Sequence, residues 1–159
     1  MFNLCCVDVG LMSPSKCRLI CIYRPPGTDV LSSIDAEALC ECLRVLASDR
    51  LTLVIAGDIN LPNMDWELNI GPIDGVHDTI LNLCLELNLD QLIREPTRDK
   101  NILDVFLTTD PHLVMDYSID LPLGASDHNS VLIYFNPESI NSAKPCRQPM
   151  KNKTNWDQT

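Results

Sequence analysis

Three short polar clusters break into otherwise apolar stretches of the sequence. The first is Gly57-Asp58-Ile59-Asn60, directly after the run Leu51 to Ala56. A carboxylate beside an amide can orient a water and hold a phosphate oxygen, and residues two apart in an extended segment point to one side. The same residues also end strands, where an Asp side chain bonds the backbone two residues on. The second is Asp104, inside Asn101-Ile102-Leu103-Asp104-Val105-Phe106-Leu107. An acid in an apolar strand is costly to bury unless it is paired or solvated, so Asp104 is either a site residue or a hydrogen-bonded edge residue. The third is Ser126-Asp127-His128. A histidine near an acid can exchange protons or, when charged, hold a phosphate; a loop histidine without such a role looks the same. Neighbours on a strand face opposite ways, which argues against a direct Asp127–His128 pair.

The segments that must position these clusters alternate between strand and helix patterns. Residues 4–9 and 17–23 are rich in Cys, Val and Ile, with Ser13-Pro14-Ser15 between them, and read as a hairpin. Arg24-Pro25-Pro26-Gly27 stops the second strand, since two prolines cannot continue a ladder. Asp35 to Asp49 has helical spacing, with Ser32 or Ser33 as its cap. Leu51 to Ala56 is short, β-branched and continuous, as a buried central strand is. Leu61 to Pro72 reads as a long loop, and Gly75 to Leu87 as a second helix. Gln91 to Arg94 and Ile102 to Leu107 suggest a hairpin, followed by strands over 112–119 and 131–135. The polar residues 137–159 read as a flexible tail or linker after one domain over 1–136. Strands and helices mixed in this way mean α/β or α+β.

Composition narrows the function. The chain has 159 residues, with 12 Lys and Arg against 22 Asp and Glu, a net charge of −10. A protein that grips nucleic acid mainly by phosphate charge is basic, so a general DNA coat is excluded. Carboxylates remain suited to metal-dependent phosphate chemistry. No apolar run reaches the roughly 18–20 residues of a membrane helix. The first residues lack the basic and apolar regions of a signal peptide, which leads us to expect an intracellular protein, nuclear or cytoplasmic. The eight cysteines form no Cys-x-x-Cys and fall mostly among Leu, Ile and Val; they read as reduced thiols that pack as small hydrophobes, without zinc-ligand spacing.

Taken in order, the clusters form a pattern with Ile22-Tyr23-Arg24-Pro25-Pro26-Gly27, Ile55 to Pro62, Arg94-Glu95-Pro96-Thr97-Arg98, Ile102 to Thr108 and Ser126-Asp127-His128. That pattern resembles the endonuclease/exonuclease/phosphatase superfamily, and more narrowly the apurinic-like endonuclease of non-LTR (LINE-like) retrotransposons. The resemblance runs from about Leu4 to Phe135. It implies an α+β fold, a four-layer α/β/β/α sandwich with the site where strand ends meet. It implies hydrolysis of DNA phosphodiesters with Mg²⁺ or Mn²⁺, and a reverse transcriptase domain in the parent polyprotein. By the same resemblance Asp58 positions or deprotonates water, and Asn60 holds the phosphate. His128 stabilises the developing charge, Asp104 orients His128, and Tyr23 supports the phosphate or leaving group. Asp127 belongs to the metal network. Local charge at Arg24, Arg94, Arg98 and Lys100 faces a phosphate backbone if these residues cluster, and is a solvated set of surface bases otherwise; with Thr97 and Ser126 they make up the candidate phosphate or DNA contacts.

Family domains carry, before the segment matching Tyr23, a strand with an Asn and a strand ending in a metal-binding Glu. Neither has a match here; Glu37 and Glu41 come too late, and Asp8 is no substitute. The expectation is therefore the later portion of such a domain, missing N-terminal strands, with weak or no activity alone. Two other readings stand beside it: a non-catalytic α/β interaction module, and another phosphoesterase of the same superfamily.

Overall fold

The structure, a computed structural model, describes residues 1–11, 16–27 and 29–136. The turn at Ser13-Pro14-Ser15 and the tail over 137–159 lie outside the described residues. Strands β1 (Asn3–Gly10) and β2 (Lys16–Tyr23) pair antiparallel, the expected hairpin. Helix α1 (Val30–Leu46) leads to β3 (Thr52–Asp58), which joins β2 in parallel. Helix α2 (Gly75–Glu86) follows the loop. Then β4 (Asp90–Gln91) and β5 (Asp104–Thr108) complete a sheet of order β1-β2-β3-β5-β4. A second sheet holds β6 (Val114–Asp120) and β7 (Ser130–Phe135).

Side-chain alternation sorts the core into two. Ile20, Ile22, Leu53, Ile55, Val105 and Leu107 face the helices and pack on Leu39, Leu43, Ile80 and Leu83. Cys17, Val54 and Phe106 face the other way, against Val131, Ile133 and Phe135 of the second sheet. Helices, large sheet and small sheet are thus three stacked layers of an incomplete α/β/β/α sandwich. Among the described residues no helix covers the outer face of β6–β7.

The elements differ from the sequence expectation where a side chain competes for backbone hydrogen bonds. Asp29, not Ser32 or Ser33, caps α1 by accepting from the Ser32 N–H, so the helix starts earlier than Asp35. Strand β4 is short because the Arg94 N–H goes to the Tyr117 hydroxyl. Strand β5 starts at Asp104, not Ile102, because the N–H groups of Leu103 and Asp104 both donate to Thr97 Oγ1. Asp110 caps a 3₁₀ turn over Pro111–Leu113, which delays β6 to Val114.

Direct partners in a sheet share a face. One row therefore runs Asn3, Tyr23, Asp58, Asp104 across the ends of four strands. The next row on that face runs Cys5, Cys21, Ala56, Phe106. The strands close up at the first row: Gly57 has φ +135°, and a Cβ there would lie 1.9 Å from the Ile22 carbonyl oxygen. Only glycine fits.

Candidate active site

The row of strand ends collects three of the expected residues. Asp58 and Asp104 are direct partners across β3 and β5. The loop before β7 brings His128 over them, with Nδ1 2.7 Å from Asp104 Oδ2 and Nε2 4.0 Å from Asp58 Oδ2. An ionised carboxylate only accepts, so the ring donates from Nδ1 and presents Nε2 to Asp58. Asp58 is half-buried. Burial raises its carboxyl above the ordinary value; the Asn60 N–H pulls it back, Asp104 pushes it further up, His128 opposes, and the net shift is upward. Tyr23 sits beside Asp58 in the row and is exposed.

The turn after β3 is an Asx turn: Asp58 Oδ1 accepts from the Asn60 N–H at 3.0 Å. The turn and the cluster thus coexist in one residue. Asn60 does not share a side with Asp58 in an extended run, because it adopts φ 47°. It is nearly buried, and its amide donates to the Arg24 carbonyl at 2.9 Å. It still lines a recess of about 240 Å³ with Pro26, Gly27, Pro62 and Arg98.

Several of the residues expected as phosphate contacts bond to backbone in this structure. Arg24 is 2% exposed and donates to the carbonyls of Ile59, Asn60 and Gly27 at 2.8, 2.7 and 3.2 Å. It holds the Asp58–Asn60 turn from behind. Thr97 is 0% exposed. Its hydroxyl oxygen accepts from the Asp104 N–H, and its carbonyl accepts from the Asn129 N–H at 2.7 Å. It ties the Asp104 strand to the His128 loop and is buried. Ser126 exchanges hydrogen bonds with the backbone of His128, shaping that loop. Arg94 is exposed but donates to the Trp66 carbonyl at 2.9 Å. With Lys100, Asn63 and Asn101 it lines a recess of about 700 Å³, which includes none of Asp58, Asp104 and His128.

Asp127, the expected metal ligand, pairs with Arg98 at 2.7 Å. Among the described residues no three His, Cys, Asp or Glu side chains are grouped to hold a metal ion. Mg²⁺ takes oxygen ligands in a near-ideal octahedron. Here Asp127 is turned to arginine, Asp104 to His128, and Asp58 to its own turn. The described residues do not fit a divalent metal centre.

Sequence reasoning also missed a pair between buried His77 and half-buried Asp74. Asp74 caps α2 and contacts His77 Nδ1 at 2.8 Å, while His77 Nε2 meets the Pro62 carbonyl at 3.0 Å. This pins the loop after Asn60 to the helix. The signal was Asp-x-x-His at a helix start.

Comparison with known proteins agrees with this architecture. The model of the endonuclease-reverse transcriptase family matches residues 17–132. Among solved structures, the chain is similar to the endonuclease domain of TRAS1, a telomere-specific non-LTR retrotransposon, at 22% identity and TM-score 0.61, covering 86% of this chain and 63% of that one. It is similar to an AP endonuclease from Archaeoglobus fulgidus at 19% identity and TM-score 0.55, covering 76% and 62%. The human nocturnin catalytic domain with bound sulfate follows at 15% identity and TM-score 0.50, covering 85% and 60%. The chain thus spans less than two thirds of each of these structures. No curated protein matches it in sequence. No helix among the described residues is long and apolar enough to cross a membrane.

Proposed function

The chain belongs to the endonuclease-reverse transcriptase family, and from that membership we propose that it carries the phosphodiester-cleaving centre of a retroelement nuclease acting on DNA, within a parent protein that also holds a reverse transcriptase. The observation that carries this reading is the 2.7 Å contact of His128 with Asp104, set over Asp58. At 4.0 Å from Asp58, His128 Nε2 is beyond hydrogen-bond reach of that carboxyl and is left for an oxygen of a phosphodiester. A charged His128 donates to it as negative charge develops. Asp58, more basic than an ordinary carboxyl, takes a proton from the attacking water. Tyr23 supplies a phenolic donor at the rim. Asn60 keeps a second amide N–H beyond the one on Arg24. Arg98, half-buried, lines the adjoining recess.

DNase-I-like nucleases generally depend on a divalent metal, and the donor set here is short of one. Residual, slow cleavage follows as the expectation. The test is nicking of supercoiled plasmid by residues 1–159 with Mg²⁺ or Mn²⁺, beside an EDTA control and His128→Ala. We expect slow nicking that needs His128; nicking abolished by EDTA would mean that a divalent ion is held in spite of the donor set. Equal rates for the parent chain and His128→Ala would remove the site. No nicking by a cooperatively folded sample would favour the second reading, a non-catalytic interaction module, to which the Asp127–Arg98 pair already lends weight.

A further inference from the structure

We propose that Cys5 and Cys21 are a redox modification site, closing a reversible disulfide across the β1–β2 hairpin when the chain meets a peroxide. The inference is independent of the nuclease reading. The two cysteines are direct partners in the antiparallel ladder, and both are free and exposed. Their hydrogen-bonding phase follows from a neighbouring contact. The Arg24 N–H donates to the Asp58 carbonyl at 2.8 Å, so even-numbered residues at the end of β2 turn their backbone groups to β3. Cys21, of the opposite phase, turns its groups to β1. A hydrogen-bonded antiparallel pair has Cα atoms about 5.5 Å apart, within the disulfide range, but its Cβ atoms lie at the wide end of about 4.5–5.5 Å, so closure must draw the two strands together.

Among the described residues, the other cysteines are poorly placed to compete. Cys6 shares a strand with Cys5 but lies opposite Ile20, on the helix side. Cys40 and Cys84 are buried between α1 and α2, and burial pushes their thiols up to about 11 and about 12, so they stay protonated and unreactive. Cys17 is buried, and its thiol is raised by burial too. Cys42 is exposed on α1, on another element.

The chemistry balances. One thiolate sulfur attacks a peroxide oxygen; the O–O bond breaks, giving a sulfenic acid and water. The second sulfur attacks the first, the S–O bond breaks, and a second water leaves. Each sulfur loses one electron, and the peroxide gains two. An exposed disulfide in a short hairpin is of the labile kind that thiols reduce. It would lock β1 to β2 one row below Tyr23 and Asp58.

The test treats the 159-residue chain with hydrogen peroxide, alkylates the remaining thiols, and measures intact mass before and after a dithiol. We expect a loss of two hydrogens, two protected thiols and a higher melting temperature, all reversed by the dithiol. Cys5→Ser and Cys21→Ser should each abolish the change; Cys6→Ser and Cys42→Ser should retain it. Protection that survives Cys5→Ser or Cys21→Ser, covalent dimers as the main product, or no disulfide at all would overturn the proposal.

Discussion

Asp58 serves two demands that oppose each other. Its carboxyl is held above the ordinary value, chiefly by burial and then by Asp104, against the Asn60 N–H and His128. The folded state therefore binds that proton more tightly than the unfolded chain does. Ionising Asp58 costs stability: the cost is absent below the unfolded carboxyl value, near 3.9, and grows as pH rises through the folded value. Asp58→Asn, which keeps an acceptor for Asn60, should raise the melting temperature at neutral pH, by about 2–4 °C for each kcal/mol relieved. The gain should vanish in acid, and nicking should be lost; melting curves of both chains across pH check it. A variant no more stable than the parent at pH 7 would mean that the turn, not the site, sets this carboxyl. Thr97 makes the complementary case. Thr97→Val leaves the N–H groups of Leu103 and Asp104 without their acceptor, at about 1–3 kcal/mol for each buried group. Thr97→Ser keeps the oxygen and should lose much less, as denaturant midpoints would show. The sequence marked Asp58, Asp104 and His128 because an acid in an apolar strand, or one ending it, is conspicuous. It could not show that Arg24 and Thr97 are buried against backbone. A polar residue that braces backbone and one that touches a ligand look alike until burial is known.

At the level of elements, periodicity located every strand and both helices, and the errors lie at their ends. Ends are decided by single competing hydrogen bonds, which hydrophobic spacing does not encode. Asp29 lengthens α1, and Tyr117 shortens β4. The start of α2 came out at Gly75 because Asp74 before it is a strong cap. That cap also has a pH signature. Burial pushes the Asp74 carboxyl up, but hydrogen bonds from the His77 N–H, the His77 ring and the Val76 N–H outweigh it, and the net shift is downward. Asp74 therefore adds stability above the ordinary carboxyl range and loses it as pH falls through its lowered folded value. Asp74→Ala should cost about 0.5–2 kcal/mol for the cap, and more because buried His77 loses its acceptor. The deficit in urea midpoint should shrink in acid. A constant deficit would show that the capping geometry alone, without the charge, sustains α2.

For the whole molecule, the two cores explain why the site forms at one end of the sheet and why the opposite flank stays bare. The helix-side core is continuous across β2, β3 and β5. Among the described residues the other face is covered by two strands, which lie over Val54 and Phe106 and leave Val7 and Val9 of β1 exposed. β1 is also the outer strand of its sheet, so among the described residues its backbone groups on that side have no strand partner. An unpaired edge bearing apolar side chains is a template for another strand. The net charge of −10 opposes such pairing through long-range repulsion, but salt screens it over about 8–10 Å. The balance predicts association that strengthens with salt, the reverse of an ion-paired interface. Sedimentation should give a mass near 17.8 kDa when dilute at low salt, rising with concentration and ionic strength. Val7→Lys puts a charge on the edge and should hold the chain monomeric throughout. A mass that stays constant at every salt level would mean that β1, though bare, is shielded by its own twist and charge.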